Sequence, residues 1–324
     1  MRTFHLDRPE SIPAAVRALR DPDAQVIAGG TDLITLMRDG VRTPSRLVDV
    51  SGLGLDRVDW LPGGGVRIGA LHPNSADDPR LRAEYPVLVE ALRSGASPQI
   101  RNMASFGGNL LQQTRCTYYR LPEFPCNRRN PGSGCASIDG DSSKQAIFGT
   151  SGSCVAVHPS DLAVALQALD AVVLVAGPDG DRRIPIDEFH RLPGDTPHRD
   201  SALRPGELVV AVELPAVPFA RRSHYLKFRD RASFAFALVS AAVAVDQRDG
   251  VVRTARIALG GVAPKPWRAT HAEQALTGRR LDSAGIDAAA EAAVLGAAPR
   301  PDNHYKVQLV RRVVRRALNE LGES

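Results

Sequence analysis

Residues 25–50 read QVIAGGTDLITLMRDGVRTPSRLVDV. Gln25 to Ala28 is a short apolar run, Gly29-Gly30-Thr31-Asp32 is a turn, Leu33 to Met37 continues at helical spacing, and Arg46 to Val50 returns to strand character. With a helix expected over Ala14 to Leu19, residues 1–60 form a small α/β segment. Glycine is needed where a chain takes positive φ or lets a ligand approach its backbone. A helix that begins at Thr31 turns its positive end and unpaired amides toward the space above the turn, a natural seat for phosphate. Asp32 is the misfit. Its carboxylate would repel phosphate, so it must point away or cap a backbone group.

A second glycine pair, Ser105-Phe106-Gly107-Gly108-Asn109, lies in the next segment, residues 61–220. A strand at Val66 to Ala70 and a helix at Leu81 to Ser94 precede it. Farther on, a helix over Asp161 to Leu169 leads into a hairpin whose strands, Ala171 to Ala176 and Arg183 to Ile186, flank Pro178-Asp179-Gly180. Two such turns, one per segment, can hold the two phosphates of a dinucleotide between them. Singly each is weak, and neither has the spaced glycines of a Rossmann fingerprint. The third segment, 221–324, has strands at Ala237 to Val245 and Val251 to Leu259 around Arg248-Asp249-Gly250, followed by helices. In the last helix Val310, Val313, Val314, Ala317, Leu318 and Leu321 form one apolar face.

Residues 112–154 interrupt this order and carry all four cysteines, Cys116, Cys126, Cys135 and Cys154, with nine, eight and eighteen residues between them. Three of them fall in a polar loop rich in Pro, Gly, Ser and Arg, a poor place for core thiols. Cys154, in an apolar stretch, also suits a core role. Disulfides suit a small secreted chain better than one of this size. Structural zinc favours paired ligands two to four residues apart, and there are none here. An iron–sulfur cluster accepts wide spacing if the loop wraps it, and Arg115, Arg120, Arg128 and Arg129 would offset its negative charge. Spacing alone leaves iron–sulfur modestly ahead of zinc. So polar a loop is expected to depend on its metal for order.

Composition sets the wider bounds. The 324 residues, 43% hydrophobic and 24% charged, suit about two globular domains. The formal charge of +5 is spread along the chain, with one dense patch at Lys306, Arg311, Arg312, Arg315 and Arg316. A solvated helix face explains that patch best, and an acidic partner is the alternative. Aromatics are only 5%, which argues against nucleic-acid binding. The N-terminal stretch has no apolar run of signal-peptide length, and the longest run, Phe234 to Val245, is too short to span a bilayer. A soluble chain without its own export signal is expected. The eight histidines have no metal-ligand spacing.

At these residues the sequence resembles the FAD-binding subunits of the molybdenum hydroxylases, over nearly its whole length. AGGTDL at 28–33 and IRNMASFGGNL at 100–110 look like the family's two flavin loops. HPSDLAVALQALDA at 158–171 and YLKFRDRASFAFALVSAAVAV at 225–245 look like its aspartate stretch and the start of its C-terminal domain. The resemblance implies an α+β chain: a two-subdomain α/β FAD-binding domain of the PCMH type (1–60 and 61–220), then a smaller C-terminal α/β domain (221–324) with an antiparallel sheet and helices. It implies FAD held by Val26, Ile27, Ala28, Gly29, Gly30, Thr31, Asp32 and Leu33 and by Ser105, Gly107, Gly108 and Asn109. Asp161 would contact the flavin and Lys227 would approach the isoalloxazine.

The insertion CTYYRLPEFPCNRRNPGSGC at 116–135 resembles a sub-branch with a 4Fe–4S cluster, closest to periplasmic aldehyde oxidoreductases. Cys116, Cys126, Cys135 and Cys154 would then be its ligands. Also implied are a large subunit with the molybdenum cofactor, a small subunit with 2Fe–2S clusters, and no catalytic acid or base on this chain. An external acceptor that need not be NAD is expected, because no second nucleotide fingerprint is visible. The compartment would be the cytoplasm, or the periplasm by co-export with a partner bearing a twin-arginine signal. Flavin subunits of aryl-CoA reductases, or of xanthine or carbon monoxide dehydrogenases, are the near alternatives. A non-enzymatic zinc module is the distant one.

Overall fold

Short strands alternate with short helices from the start of the chain, and the result in the computed structural model, which describes residues 1–323, is a mixed α/β protein with three sheets. The first sheet contains β1 (His5–Asp7), β2 (Ala24–Ile27) and β3 (Arg46–Asp49) in the order β1-β3-β2, all parallel. Parallel neighbours need crossover connections, which the helices Ile12–Ala18 and Leu33–Arg38 supply. Both helices and the two strands of the β2–turn–α–β3 unit lie within a residue or two of where the sequence puts them.

The second sheet has β4 (Val58–Trp60), β5 (Val66–Gly69), β6 (Val172–Ala176), β7 (Arg182–Pro185) and β8 (Leu208–Leu214), in the order β4-β5-β8-β6-β7. All its pairings are antiparallel. β8 is central, although sequence patterning did not single it out. The helix expected over 81–94 is two helices, Pro79–Glu84 and Pro86–Ser94, because Tyr85, as the residue before a proline, leaves the helical region (φ −139°, ψ 60°).

The third sheet, β12-β11-β10-β9, comprises β9 (Ser223–Phe228), β10 (Val239–Arg248), β11 (Val251–Gly260) and β12 (Trp267–Arg268), again antiparallel. Asp249 and Gly250 join β10 to β11 with φ of 53° and 76°. That is the Asp-Gly pairing a two-residue hairpin prefers. The helices Thr270–Leu276, Ser283–Ala292 and Tyr305–Glu323 cover one face of this sheet. On the other face lies the helix Asp161–Ala168, which also packs on the second sheet and is buried along its whole length. A helix apolar all round has no solvent face, so this one cements the two sheets and fixes Asp161 at its first turn.

The basic patch near the C-terminus needs one correction. Lys306 is buried, and its Nζ donates to the carbonyls of Lys144, Gln145 and Gly261 at 2.9, 2.9 and 2.7 Å. Burial pulls its pKa down to about 7, while the three carbonyls suit an ammonium with three N–H donors. Arg311, Arg315 and Arg316 are surface residues paired with Glu291, Asp287 and Glu320, as a solvated face requires.

Candidate cofactor site

The turn after β2 forms one wall of a cleft of about 520 Å³. Val26, Ile27, Ala28, Gly29, Gly30, Thr31, Asp32 and Leu33 all line it. Ser105, Gly107 and Gly108 face them from the second segment, and Leu203 to Val209, which sequence reasoning missed, close a third side. Gly30 takes φ +70°. Gly29 lies so close to the second segment that a Cβ would sit 1.6 Å from the Met103 carbonyl oxygen. Glycine is therefore compulsory here for packing the two segments together. Among the described residues no acceptor pairs with the amides of Gly29, Gly30, Thr31, Asp32 or Leu33. A row of unpaired amides lining a cleft fits the phosphates of a dinucleotide.

The second glycine pair is different: it is the first turn of a helix, Phe106–Leu110, with Ser105 as N-cap. Its amides are already paired. Phe106 donates to His72, Gly107 to Ala70, Gly108 to the Ser105 hydroxyl and Asn109 to the Ser105 carbonyl. Gly107 allows close packing, since a Cβ there would lie 3.0 Å from that of Ala70. Of the two loops, the first is the one that leaves a run of consecutive unpaired amides for an anion.

Asp32 turns away from the open cleft. Its Oδ2 accepts from the Gln113 amide at 2.8 Å, and its Oδ1 accepts from Arg120 at 2.9 Å and Arg115 at 3.0 Å. Arg115 is largely buried, which lowers its pKa to about 10 despite Asp32, so it stays charged at neutral pH. The carboxylate thereby ties the first loop to the cysteine segment.

Asp161 and Lys227 do not line this cleft. They form a buried ion pair at 2.7 Å, and Asp161 also accepts from the Tyr225 hydroxyl at 2.6 Å. Burial, followed by the charge of Asp161, holds the Tyr225 pKa well above its usual value, so it remains a neutral donor. Ser160, the N-cap of the same helix, donates to Oδ1 of Asn109 at 2.8 Å. Through that bond the Asp161–Lys227 pair is fixed to the second loop.

The cysteines come together. Cys116, Cys126 and Cys154 share an apolar cluster with Leu36, Val41, Tyr119 and Ala156, and Cys135 pairs with Cys126 through a β-bridge. The surroundings are thus more apolar than the loop's composition implies, because Leu36 and Val41 come from the helix after the first turn and from its exit. Neighbouring thiols act on one another's charge: Cys126 and Cys135 on Cys116, Cys126 on Cys135, and Cys135 and Cys116 on Cys154. Burial raises the pKa of Cys116 and Cys135 and pushes Cys154 up to about 11.

Against that, backbone N–H groups are directed at the sulfurs: Tyr118 and Tyr119 at Cys116, Ser137, Ile138 and Val155 at Cys135, and Ala156 at Cys154. Buried thiols that collect amide donors suit metal-bound thiolates, which a metal centre keeps deprotonated. Among the described residues no group of three or more His, Cys, Asp or Glu is placed to hold a single metal ion.

The arginines expected to balance such a cluster mostly serve other partners. Arg115 and Arg120 hold Asp32, and Arg129 donates to the carbonyls of Tyr118, Tyr119, Pro122 and Phe124. Only Arg128, buried and 2.5 Å from Asp200, has its charge favoured by a cysteine, Cys154. The rings of His158 and His190 lie 4.3 Å apart, tilted by 56°, and His190 bonds the Leu110 carbonyl at the end of the second loop's helix. Burial keeps both neutral, with the His190 pKa lowered to about 4.

Two family models match the chain. One, described as the FAD binding domain in molybdopterin dehydrogenase, covers residues 2–217, and the CO dehydrogenase flavoprotein C-terminal domain covers 223–321. The chain is 47% identical to the aldehyde oxidoreductase FAD-binding subunit PaoB of Escherichia coli (strain K12), over 99% of this chain and 98% of that protein. It is 28% identical to the carbon monoxide dehydrogenase medium chain of Afipia carboxidovorans, covering 98% and 96% of the two chains. Among solved structures, a carbon monoxide dehydrogenase from Hydrogenophaga pseudoflava matches with a TM-score of 0.78 at 26% identity, covering 99% of this chain and 98% of that one.

Proposed function

The chain belongs to the FAD-binding medium subunits of the molybdenum hydroxylases, and on that premise we propose that it is the electron-transfer subunit of a heteromeric aldehyde oxidoreductase with a 4Fe–4S cluster beside its flavin. Membership makes it an oxidoreductase subunit with an FAD-binding domain. The aldehyde substrate class comes from the 47% identity to an aldehyde oxidoreductase subunit over the full chain. Substrate oxidation takes place on a partner subunit with the molybdenum cofactor, and electrons arrive from 2Fe–2S clusters on a small partner. Bound FAD supplies the redox chemistry.

This chain's residues bind and position. The unpaired amides of Gly29 to Leu33 take the phosphates, and Ser105, Gly107 and Gly108 form the facing wall. Asn109 holds the flavin end, with the Asp161–Lys227 pair set behind it outside the cleft and tied to it through Ser160, and no residue is required as general acid or base. The segments divide near residues 60 and 220. Electrons leave to an external acceptor that need not be NAD. The complex works in the cytoplasm, or in the periplasm if a partner carries it there. Among the described residues no helix is long and apolar enough to cross a membrane.

The observation that carries the cluster is the junction at Asp32. Asp32 belongs to the wall of the FAD cleft, and its carboxylate, turned away from the cleft, binds Arg115, next to Cys116, and Arg120, four residues beyond Cys116. The cysteine site therefore abuts the flavin cleft, as an electron relay requires. The test is the chain purified with its co-expressed partners. It should release FAD on denaturation and contain about four irons, with matching acid-labile sulfide, beyond those of the partner's 2Fe–2S clusters, as four thiolates imply. Zinc in place of that further iron and sulfide would end the cluster assignment, and FMN or no flavin would end the FAD assignment. Aldehyde turnover by this chain alone would overturn the division of labour.

A further inference from the structure

Between Cys135 and Cys154 the chain runs beneath the C-terminal helix, where Gln145 is buried. Its side-chain Nε2 lies 3.6 Å from Sγ of Cys116. Its main-chain carbonyl accepts from Nζ of Lys306 at 2.9 Å and from Nδ2 of Asn303 at 3.2 Å. Oε1 of Gln145 has no partner among the described residues. Only the donor end of this amide is engaged, and it is engaged with sulfur. Leaving a buried carbonyl unpaired is unfavourable, and the arrangement makes sense if the N–H toward Cys116 has a use. Most side-chain hydrogen bonds go to backbone or water, so a buried side-chain amide set against a thiol sulfur, on a main chain that two residues of another segment anchor, is unusual.

We propose that Gln145 tunes the reduction potential of the iron–sulfur centre by donating an N–H to the Cys116 sulfur, with Lys306 and Asn303 as the residues that position it. This rests on the cluster assignment above. One-electron reduction adds one negative charge to the cluster and no atom. An N–H donor at a ligand sulfur stabilises the more negative state, so it raises the potential. The C-terminal segment thus sets how readily a cluster beside the flavin accepts the electron.

The test is redox titration of the assembled complex, wild type against Gln145→Met, followed by EPR of the cluster and absorbance of the flavin. Methionine keeps the length and removes the donor. The variant cluster should shift toward the oxidised form by about tenfold at a fixed potential, a fall of about 59 mV for a one-electron couple, while the flavin titration is unchanged. An intact variant cluster with the wild-type potential would overturn the role of Gln145. Iron and sulfide of the wild-type complex are counted separately, and a content that the partner's 2Fe–2S clusters alone account for would end the cluster assignment itself.

A second measurement covers a variant that fails to assemble. In wild-type complex carrying ¹⁵N at glutamine side-chain amides, pulsed EPR of the reduced cluster should show a ¹⁵N coupling. Absence of that coupling would sink the proposal without any variant.

Discussion

Asp32 places a carboxylate in a loop of unpaired amides, and its three partners, Gln113, Arg115 and Arg120, show what the charge is for. It binds the loop to the cysteine segment. Asp32→Ala would leave two poorly solvated guanidinium groups without their carboxylate, so stability should fall by about 3 kcal/mol. Asp32→Asn, which keeps an acceptor for the Gln113 amide, should lose about 1–2 kcal/mol. Urea midpoints of the purified subunit rank the three proteins, and equal midpoints would mean the arginines have other adequate partners. The glycines separate as sharply. Gly29→Ala drives a methyl into the Met103 carbonyl and must force the two segments apart, at about 3 kcal/mol, the upper end of overpacking costs. The cleft should open and FAD content should drop. Gly108→Ala meets only the Ser105 hydroxyl at 2.8 Å, which can rotate, so about 1 kcal/mol of capping is at risk and FAD should be retained. Similar FAD loss in both variants would contradict this division of roles. The sequence made Asp32 conspicuous as a misfit but could not name its partners, which lie more than eighty residues away.

Elements were legible in the sequence where their cause is local. The β10–β11 hairpin follows from Asp249-Gly250, and the last helix follows from its apolar spacing between Val310 and Leu321. Elements whose cause is distant were not. β8 has no hairpin partner next to it in sequence and is placed by β5 and β6, whose residues lie far off along the chain. The Ser105–Gly108 stretch read as a turn because glycines dominate it, while the cap that makes it helical depends on one hydroxyl. Charged ties between elements were equally invisible. His224 on β9 bonds Glu90 of the helix Pro86–Ser94 and Glu320 of the C-terminal helix, each at 2.9 Å. The hydrogen bond to Glu90 is the largest influence on its pKa, burial opposes it, and the net shift is upward. A histidine whose folded pKa is raised stabilises fully below its unfolded value, near 6.5, and loses that contribution as pH rises through the folded value. Wild type should therefore melt higher than His224→Gln at pH 5.5, and the gap should shrink by pH 9. A gap independent of pH would show that packing, not charge, holds the three elements together.

At the scale of the whole molecule, the cysteine loop is a meeting point of all three sheets' segments. Asp32 reaches it from the first, Asp200 binds Arg128 from the second, and Arg300, Asp302, Asn303 and Lys306 hold residues 138–146 from the third. The sequence located the thiols and their family likeness, but the loop's composition suggested a segment that only a metal could order. The side-chain ties change that expectation. Arg129 donates to four carbonyls and the Asn127 side chain bonds Ser153 and Gly134, none of which needs a metal. Cys126→Ser and Cys135→Ser should each lose about four irons per chain, because an open iron site exposes the cluster to solvent and oxygen. FAD should remain, since the Gly29–Leu33 amides and the Asp32 bonds are untouched. Proteolysis should increase only at the exposed tips, residues 121–125 and 130–133, while the anchored remainder of 112–150 stays resistant. Iron and sulfide analysis, flavin release and mass spectrometry of limited digests measure the three outcomes on one preparation. Full iron in either variant would remove that cysteine from the ligand set. Cleavage spread through the whole of 112–150 would mean that the cluster, and not the arginine and aspartate ties, holds the loop in place.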